Sequence, residues 1–273
     1  AAYRTSGRPE YLATATAARN YLLDKFLDTA YGGVYWSVNA AGEPSDTKKQ
    51  FYALGFAIYG LSEYARATGD ERAFGEAVRL FRVIEDHAYD AVNNGYEEAT
   101  ARDWTLIGDV RLSDKDANEK KTMNTHLHIL EAYTNLLRIW PDERLRRQTR
   151  NLLEIFLTRI MEPQSGHLGL FFDDRWQLKS GSRFSYGHDI EASWLLLETA
   201  STLGDETLYE HTRTCCARIA DAALEGYLDD GSLIYERHAD GMQDRERHWW
   251  VQAECVIGLF YLYRFHGRRE ALA

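Results

Sequence analysis

Asp28-Thr29-Ala30-Tyr31-Gly32-Gly33-Val34-Tyr35-Trp36 joins the end of a helical pattern to a short aromatic stretch through a glycine turn. The same plan returns three times. It is found at Asp90-Ala91-Val92-Asn93-Asn94-Gly95-Tyr96, at Glu162-Pro163-Gln164-Ser165-Gly166-His167-Leu168-Gly169-Leu170-Phe171 and at Leu228-Asp229-Asp230-Gly231-Ser232-Leu233-Ile234-Tyr235. The glycines recur about every 60–70 residues, a length that fits two helices, their connection and a small hairpin.

Between the glycines the apolar period is helical. The span 51–67 places Phe51, Leu54, Gly55, Ile58 and Leu61 on one stripe. The span 71–88 gives Phe74, Ala77, Leu80, Phe81 and Ile84, and 125–140 gives Leu127, Leu130, Tyr133, Leu136 and Leu137. Spans 11–26, 145–161, 191–203, 206–224 and 249–265 behave alike. These spacings fit a period of 3.6, so the chain is predicted all-α, built from helical hairpins with short β-hairpins beside the glycines. Hairpins in series stack as a solenoid or close into a ring. The closed double ring, the (α/α)6-barrel, needs six hairpins, or roughly 400 residues at this repeat length. Here there are about four. The chain opens at Ala1, and its last helical pattern ends near Phe265 without a capping repeat. The expectation is one domain over 1–273, truncated at both termini.

Composition narrows the function. A net charge of −10 disfavours a nucleic-acid surface, which needs a basic patch. There is no run of about 18 apolar residues to span a membrane, and no signal-peptide pattern at the start. The three cysteines, Cys215, Cys216 and Cys255, are odd in number and lack metal-type spacing, which fits a reducing cytoplasm without disulfides. The 7 Trp and 17 Tyr suit a core, and also suit a sugar cleft.

Four motifs carry polar and aromatic residues at helix starts. In Ser185-Tyr186-Gly187-His188-Asp189-Ile190-Glu191-Ala192-Ser193-Trp194, the spacing i,i+3 puts His188 and Glu191 on one face, with Tyr186-Gly187 read as the turn before the helix. A carboxylate beside an imidazole favours its charged form, which suits proton transfer near neutral pH. A buried histidine satisfied by an acid fits the same spacing. In Met123-Asn124-Thr125-His126-Leu127-His128, Asn124 and His128 share a face. His126 and His128 lie about 200° apart, so they do not ligate one ion from a regular helix. His128 is the one expected to face a cavity, with packed histidines as the alternative. In His248-Trp249-Trp250-Val251-Gln252-Ala253-Glu254, Trp250 and Glu254 share a face, which gives a sugar subsite or a packed tryptophan pair. Gln50-Phe51-Tyr52 and the loop Asp114-Lys115-Asp116 are weaker signals. The helix starts near 52, 124–128, 188–191 and 250–254 match the repeat, so the motifs are expected to line one pocket.

These strings, with Ser113-Asp114-Lys115-Asp116, resemble the cellobiose 2-epimerase branch of the N-acylglucosamine 2-epimerase superfamily over essentially the whole chain. The resemblance implies an (α/α)6 fold and cofactor-free, metal-free C2 epimerisation of the reducing-end sugar of a disaccharide, through a cis-enediolate. It implies a cytoplasmic enzyme, monomeric at full length, with no nucleic-acid or membrane partner. Carried over, His188 matches a proton-transfer histidine, Glu191 its supporting carboxylate, and His128 and Asn124 groups holding the reactive oxygens. Trp250 matches a sugar-stacking residue, and Tyr52, Asp116 and Glu254 match pocket residues. The family's second catalytic histidine lies beyond the last motif here, and its binding arginine lies in a helix before the first. Leu54 stands where the family often has Gln, which is expected to reshape that wall. The 273-residue chain alone is therefore expected to be inactive. Two rivals remain at this stage: a related sugar 2-epimerase or aldose–ketose isomerase, and a non-catalytic carbohydrate-binding repeat.

Overall fold

The computed structural model describes residues 1–181 and 183–272. Its helices are α1 (Ala2–Ser6), α2 (Pro9–Tyr21), α3 (Phe51–Thr68), α4 (Glu71–His87), α5 (Met123–Leu137), α6 (Glu143–Ile155), α7 (Tyr186–Leu203), α8 (Glu206–Ala223) and α9 (Trp249–His266). The chain forms two compact units. The first holds residues 1–121 and 128–145, the second residues 122–127 and 146–272. No helix among the described residues is long and apolar enough to cross a membrane.

Each unit contains a helical hairpin closed by the same device. Gly69 ends α3 at φ 74°, and Asp70 then caps α4 by accepting the Ala73 N–H at 2.6 Å. Gly204 ends α7 at φ 72°, and Asp205 caps α8 through the Leu208 N–H at 3.0 Å. The left-handed residue stops one helix without a Cβ penalty, and the carboxylate satisfies an orphan amide of the next. An arginine then closes on each cap, Arg19 on Asp70 at 2.6 Å and Arg150 on Asp205 at 2.6 Å. In the first unit Leu54, Ile58, Leu80, Ile84 and Tyr133 are fully buried. The second unit's core gathers Tyr186, Ile190, Ala220, Leu233, Val251 and Cys255.

Three of the four glycine turns take one form, and the fourth is one residue shorter. Each is closed by an antiparallel bridge: Leu27 with Val34, Tyr89 with Tyr96, Met161 with Leu168 and Tyr227 with Leu233. Inside them Asp28 N–H reaches Gly33 O at 3.0 Å, Asp90 N–H reaches Gly95 O at 2.9 Å, and Glu162 N–H reaches His167 O at 2.8 Å. The third turn is crowded. A Cβ on Gly166, at φ 85°, would meet the Arg218 carbonyl oxygen at 2.9 Å.

Side chains then latch the turns from a fixed register, two residues before the next helix. Lys49, ahead of α3, donates to Asp28 at 2.9 Å and to Gly32 O at 2.8 Å. Lys121, ahead of α5, donates to Asp90 at 2.7 Å. Arg247, ahead of α9, reaches Asp230 at 2.9 Å. Ahead of α7 the residue is Phe184, and the latch is a different one, described below.

A second short loop follows each turn, with its left-handed residue at Gly42, Trp104, Trp176 and Gly241. The tryptophans accept an αL conformation worth roughly 1–2 kcal/mol against them. Ring packing offsets it. Trp104 stacks on His87 (4.1 Å, 8°), and Trp176 packs on His126 at 5.0 Å and Phe172 at 5.4 Å.

Two expectations are corrected. Tyr186-Gly187 is the first turn of α7 and not a preceding turn, because Ser185 caps the helix through the His188 N–H at 3.3 Å. Glycine suits that turn because a Cβ on Gly187 would meet Val251 at 2.7 Å and the Trp250 ring at 2.8 Å. Leu54 does not line a pocket wall. It is fully buried, and a Cβ on Gly33 would lie 3.5 Å from it.

Candidate active site

In the first unit, Tyr52, Phe56 and His128 form an aromatic corner. Ring centroids lie 4.8 Å apart for Tyr52–Phe56, 5.0 Å for Tyr52–His128 and 4.6 Å for Phe56–His128. Trp36 meets the Tyr52 ring edge-on at 6.5 Å. Gly55 is the close-approach point, since a Cβ there would meet His128 O at 3.1 Å. His128 is 7% exposed, and its Nδ1 lies 3.0 Å from Glu131 Oε2. A carboxylate accepts only, so Nδ1 carries the proton and the neutral ring is basic at Nε2. Burial, then the Glu131 charge, pushes the Tyr59 phenol up to about 12.

Asp116 sits on its own loop, where Oδ2 accepts the Ser113 N–H and O–H at 2.9 Å each. That loop is braced to the start of α3. Gln50 Nε2 and Lys48 Nζ both donate to Arg111 O at 2.7 Å.

The second unit holds Asn124, His188, Glu191, Trp250 and Glu254. Asn124 Oδ1 is buried and meets no donor among the described residues. His126, next but one, is fully buried with Nδ1 2.7 Å from Thr122 O, a structural histidine. His188 is partly exposed between buried Gly187 and Asp189. Its Nδ1 lies 2.9 Å from Ser185 Oγ, and the hydroxyl donates onward to Tyr235 O at 3.5 Å. Oγ and Nδ1 can each give or take the proton of that contact, so it holds the ring under either tautomer. Trp250 tilts over the His188 ring at 4.9 Å. Glu191 is 8% exposed, and Glu254 Oε2 accepts the Trp194 indole N–H at 2.8 Å.

One register links most of these residues, His188 and Asp116 excepted. The second and sixth residues of α3, α5, α7 and α9 are Tyr52/Phe56, Asn124/His128, Gly187/Glu191 and Trp250/Glu254. Sequence reasoning missed Phe56, although it holds the position of His128, Glu191 and Glu254. It also missed Glu131, which repeats the His188/Glu191 spacing from His128, and Ser185, a helix-capping serine three residues before His188.

The profile of the N-acylglucosamine 2-epimerase (GlcNAc 2-epimerase) family matches residues 1–273. The chain belongs to that family. A cellobiose 2-epimerase of Bacteroides fragilis is 56% identical over 273 residues, which cover 100% of this chain and 69% of that protein. A cellobiose 2-epimerase of Ruminococcus albus is 38% identical over 271 residues, covering 99% and 69%. The solved cellobiose 2-epimerase of Bacillus thermoamylovorans B4167 superposes at a TM-score of 0.93 with 37% identity, covering 99% of this chain and 69% of that one. This family member is thus a carbohydrate epimerase, an isomerase, of the all-α (α/α)6-barrel fold class, and it spans about two thirds of the length of its relatives.

Proposed function

We propose that the chain carries part of the catalytic domain of a cellobiose 2-epimerase. That domain interconverts glucose and mannose configurations at the reducing end of β-1,4-linked disaccharides, cellobiose first and lactose also. The observation that carries the reading is the 56% identity to a cellobiose 2-epimerase across all 273 residues. The hydrogen bonding of the two histidines supports the chemistry, because each ring is anchored at Nδ1.

In the proposed reaction the ring-opened sugar presents its C2–H beside C1=O. A base takes the C2 proton, and the bonding pair moves into C1=C2 to give a cis-enediolate. Rotation about C2–C3 exposes the opposite face, and a second acid returns a proton there. His188 Nε2 is one of these groups and Glu191 its supporting carboxylate. His128 and Asn124 hold the reactive oxygens. A sugar hydroxyl donating to Asn124 Oδ1 would recover the roughly 1–3 kcal/mol that an unsatisfied buried acceptor costs. Trp250 stacks on an apolar sugar face, and Tyr52, Asp116 and Glu254 meet hydroxyls.

The test is cellobiose in heavy water, with product analysis. A protein of the relatives' full length is expected to give glucosyl-mannose with deuterium at C2, and His188→Ala to abolish it. The 273-residue chain alone is expected to turn over negligibly. Absence of C2 exchange in the longer protein would sink the reading. Exchange by the short chain would sink the requirement for a second histidine outside it.

A further inference from the structure

Asp189 follows His188 directly in the first turn of α7, and the proton-transfer scheme does not use it. It is fully buried. Its Oδ2 takes the Nδ1–H of His167 at 2.7 Å, and its Oδ1 takes the Leu168 N–H at 3.0 Å. His167 is 5% exposed and lies flat on Phe184, with ring centroids 3.5 Å apart at 12°. Its Nε2 stands 3.6 Å from Glu225 Oε2. Burial works against a charged imidazole here, but the Asp189 bond and charge and the Glu225 charge outweigh it and raise the His167 pKa. An imidazolium has two N–H donors, and here each points toward a carboxylate.

The pair joins the third glycine turn to α7 at the point where the other turns are latched by lysine or arginine. We propose that His167 and Asp189 are positioning residues, a latch that fixes the rotation of the first turn of α7 and so the placement of the His188 ring and the Glu191 carboxylate. The role assigned to those two side chains rests on the epimerase reading; the latch itself rests on the geometry. A ring about 6 Å from a helix axis moves roughly 1 Å for a 10° rotation of the helix. A displacement of that size costs catalysis about 100-fold. Ser185 restrains His188 from one side of the turn and Asp189 from the other, so loss of the latch removes one of the restraints on the ring.

The test follows the ring resonances of the nine histidines by NMR in isotope-labelled 273-residue chain, with His188 and His167 assigned from His188→Gln and His167→Gln. In the unsubstituted chain, His167 is expected to titrate with a midpoint above 6.5. In Asp189→Ala, the His188 ring resonances are expected to broaden or to change their midpoint, while those of His128 stay as they are. Asp189→Asn keeps the shape and the acceptor for Leu168 N–H, and is expected to disturb His188 less. An unchanged His188 titration in Asp189→Ala, with only a lower unfolding midpoint, would reduce the pair to a structural contact and overturn the proposal. Should both variants fail to fold, the His167 midpoint decides, and a value at or below 6.5 overturns it. In the longer protein, Asp189→Asn is expected to lower kcat about tenfold or more with KM within twofold, and a loss confined to KM also overturns the proposal. If that protein does not epimerise at all, the functional reading fails while the NMR comparison still judges the latch.

Discussion

The two units close the same glycine turn with different chemistry. In the first unit a buried lysine meets the turn aspartate, Lys49 with Asp28 and Lys121 with Asp90. In the second unit one latch is the stacked His167–Asp189 pair, and the other is Arg247–Asp230, whose side chains are 44% and 58% exposed. An antiparallel backbone bridge closes each of the four turns. Backbone hydrogen bonding therefore forms the turn, and the latch decides how firmly and at which pH it is held. A lysine–aspartate pair keeps its charges across the neutral range, whereas a histidine pair does not.

The comparison breaks first at Lys49. Both Lys49 and Asp28 are fully buried. Lys49→Met removes one partner and leaves the carboxylate desolvated, with the half-exposed Arg102 as its remaining cation at 2.7 Å. Breaking a buried pair in this way costs about 3–5 kcal/mol. The expected outcome is a large fall in the urea midpoint of the 273-residue chain. A change below about 1 kcal/mol would mean that Arg102 and the Tyr31 and Ala30 amides hold the turn without lysine.

Acid and alkali should separate the two units. Burial pushes the Asp28 carboxyl up, but the Arg102 and Lys49 donors outweigh it and hold it well below the usual carboxylate range. Its stabilisation is complete above the unfolded value near 3.8, and is lost as pH falls through the lower folded value. His167 carries the opposite sign. Its stabilisation is complete below the unfolded value near 6.5, and is lost as pH rises through the higher folded one. After correction for intrinsic exchange, the Gly32 amide should lose protection in acid, and the Leu168 amide as pH rises through the folded His167 value. If the Leu168 amide keeps constant protection from neutral to alkaline pH, His167 contributes no charge-dependent stability.

Why these differences escaped the sequence follows from where the information lies. The repeat glycines and the 3.6 period are local, so hairpins and turns could be read from the chain. The starts at Phe51, Glu71, Glu206 and Trp249 were read to the residue, and that of α7 was read late. The signal at Ser185 is one hydroxyl bonded to an amide three residues on, and Gly187 was taken for a turn former when its reason is the close approach of α9. The candidate site residues come from strings: Asn124 and His128, His188 and Glu191, Trp250 and Glu254. Their partners do not, because Glu254 meets Trp194 across 60 residues and Asp189 meets His167 across 22. Such pairs depend on packing between elements, which periodicity does not encode. Phe56 was the exception, since its repeat position alone would have found it.

The smallest expected effect tests whether burial is what separates the latches. Arg247 reaches Asp230 and Ser232 with both charged groups largely in water. Exposed pairs gain little, because solvent screens the attraction and two long side chains must be ordered. The Asp230 carboxyl also takes the Ser232 N–H at 3.0 Å without help from the arginine. Arg247→Ala should therefore leave the urea midpoint unresolved from that of the unsubstituted chain, while Lys49→Met, in the same register of the first unit, shifts it strongly. If the two substitutions cost the same, burial is not the distinction. The shared register, two residues before the helix, would then matter for a reason other than desolvation, such as fixing the entry angle of the chain into α3 and α9.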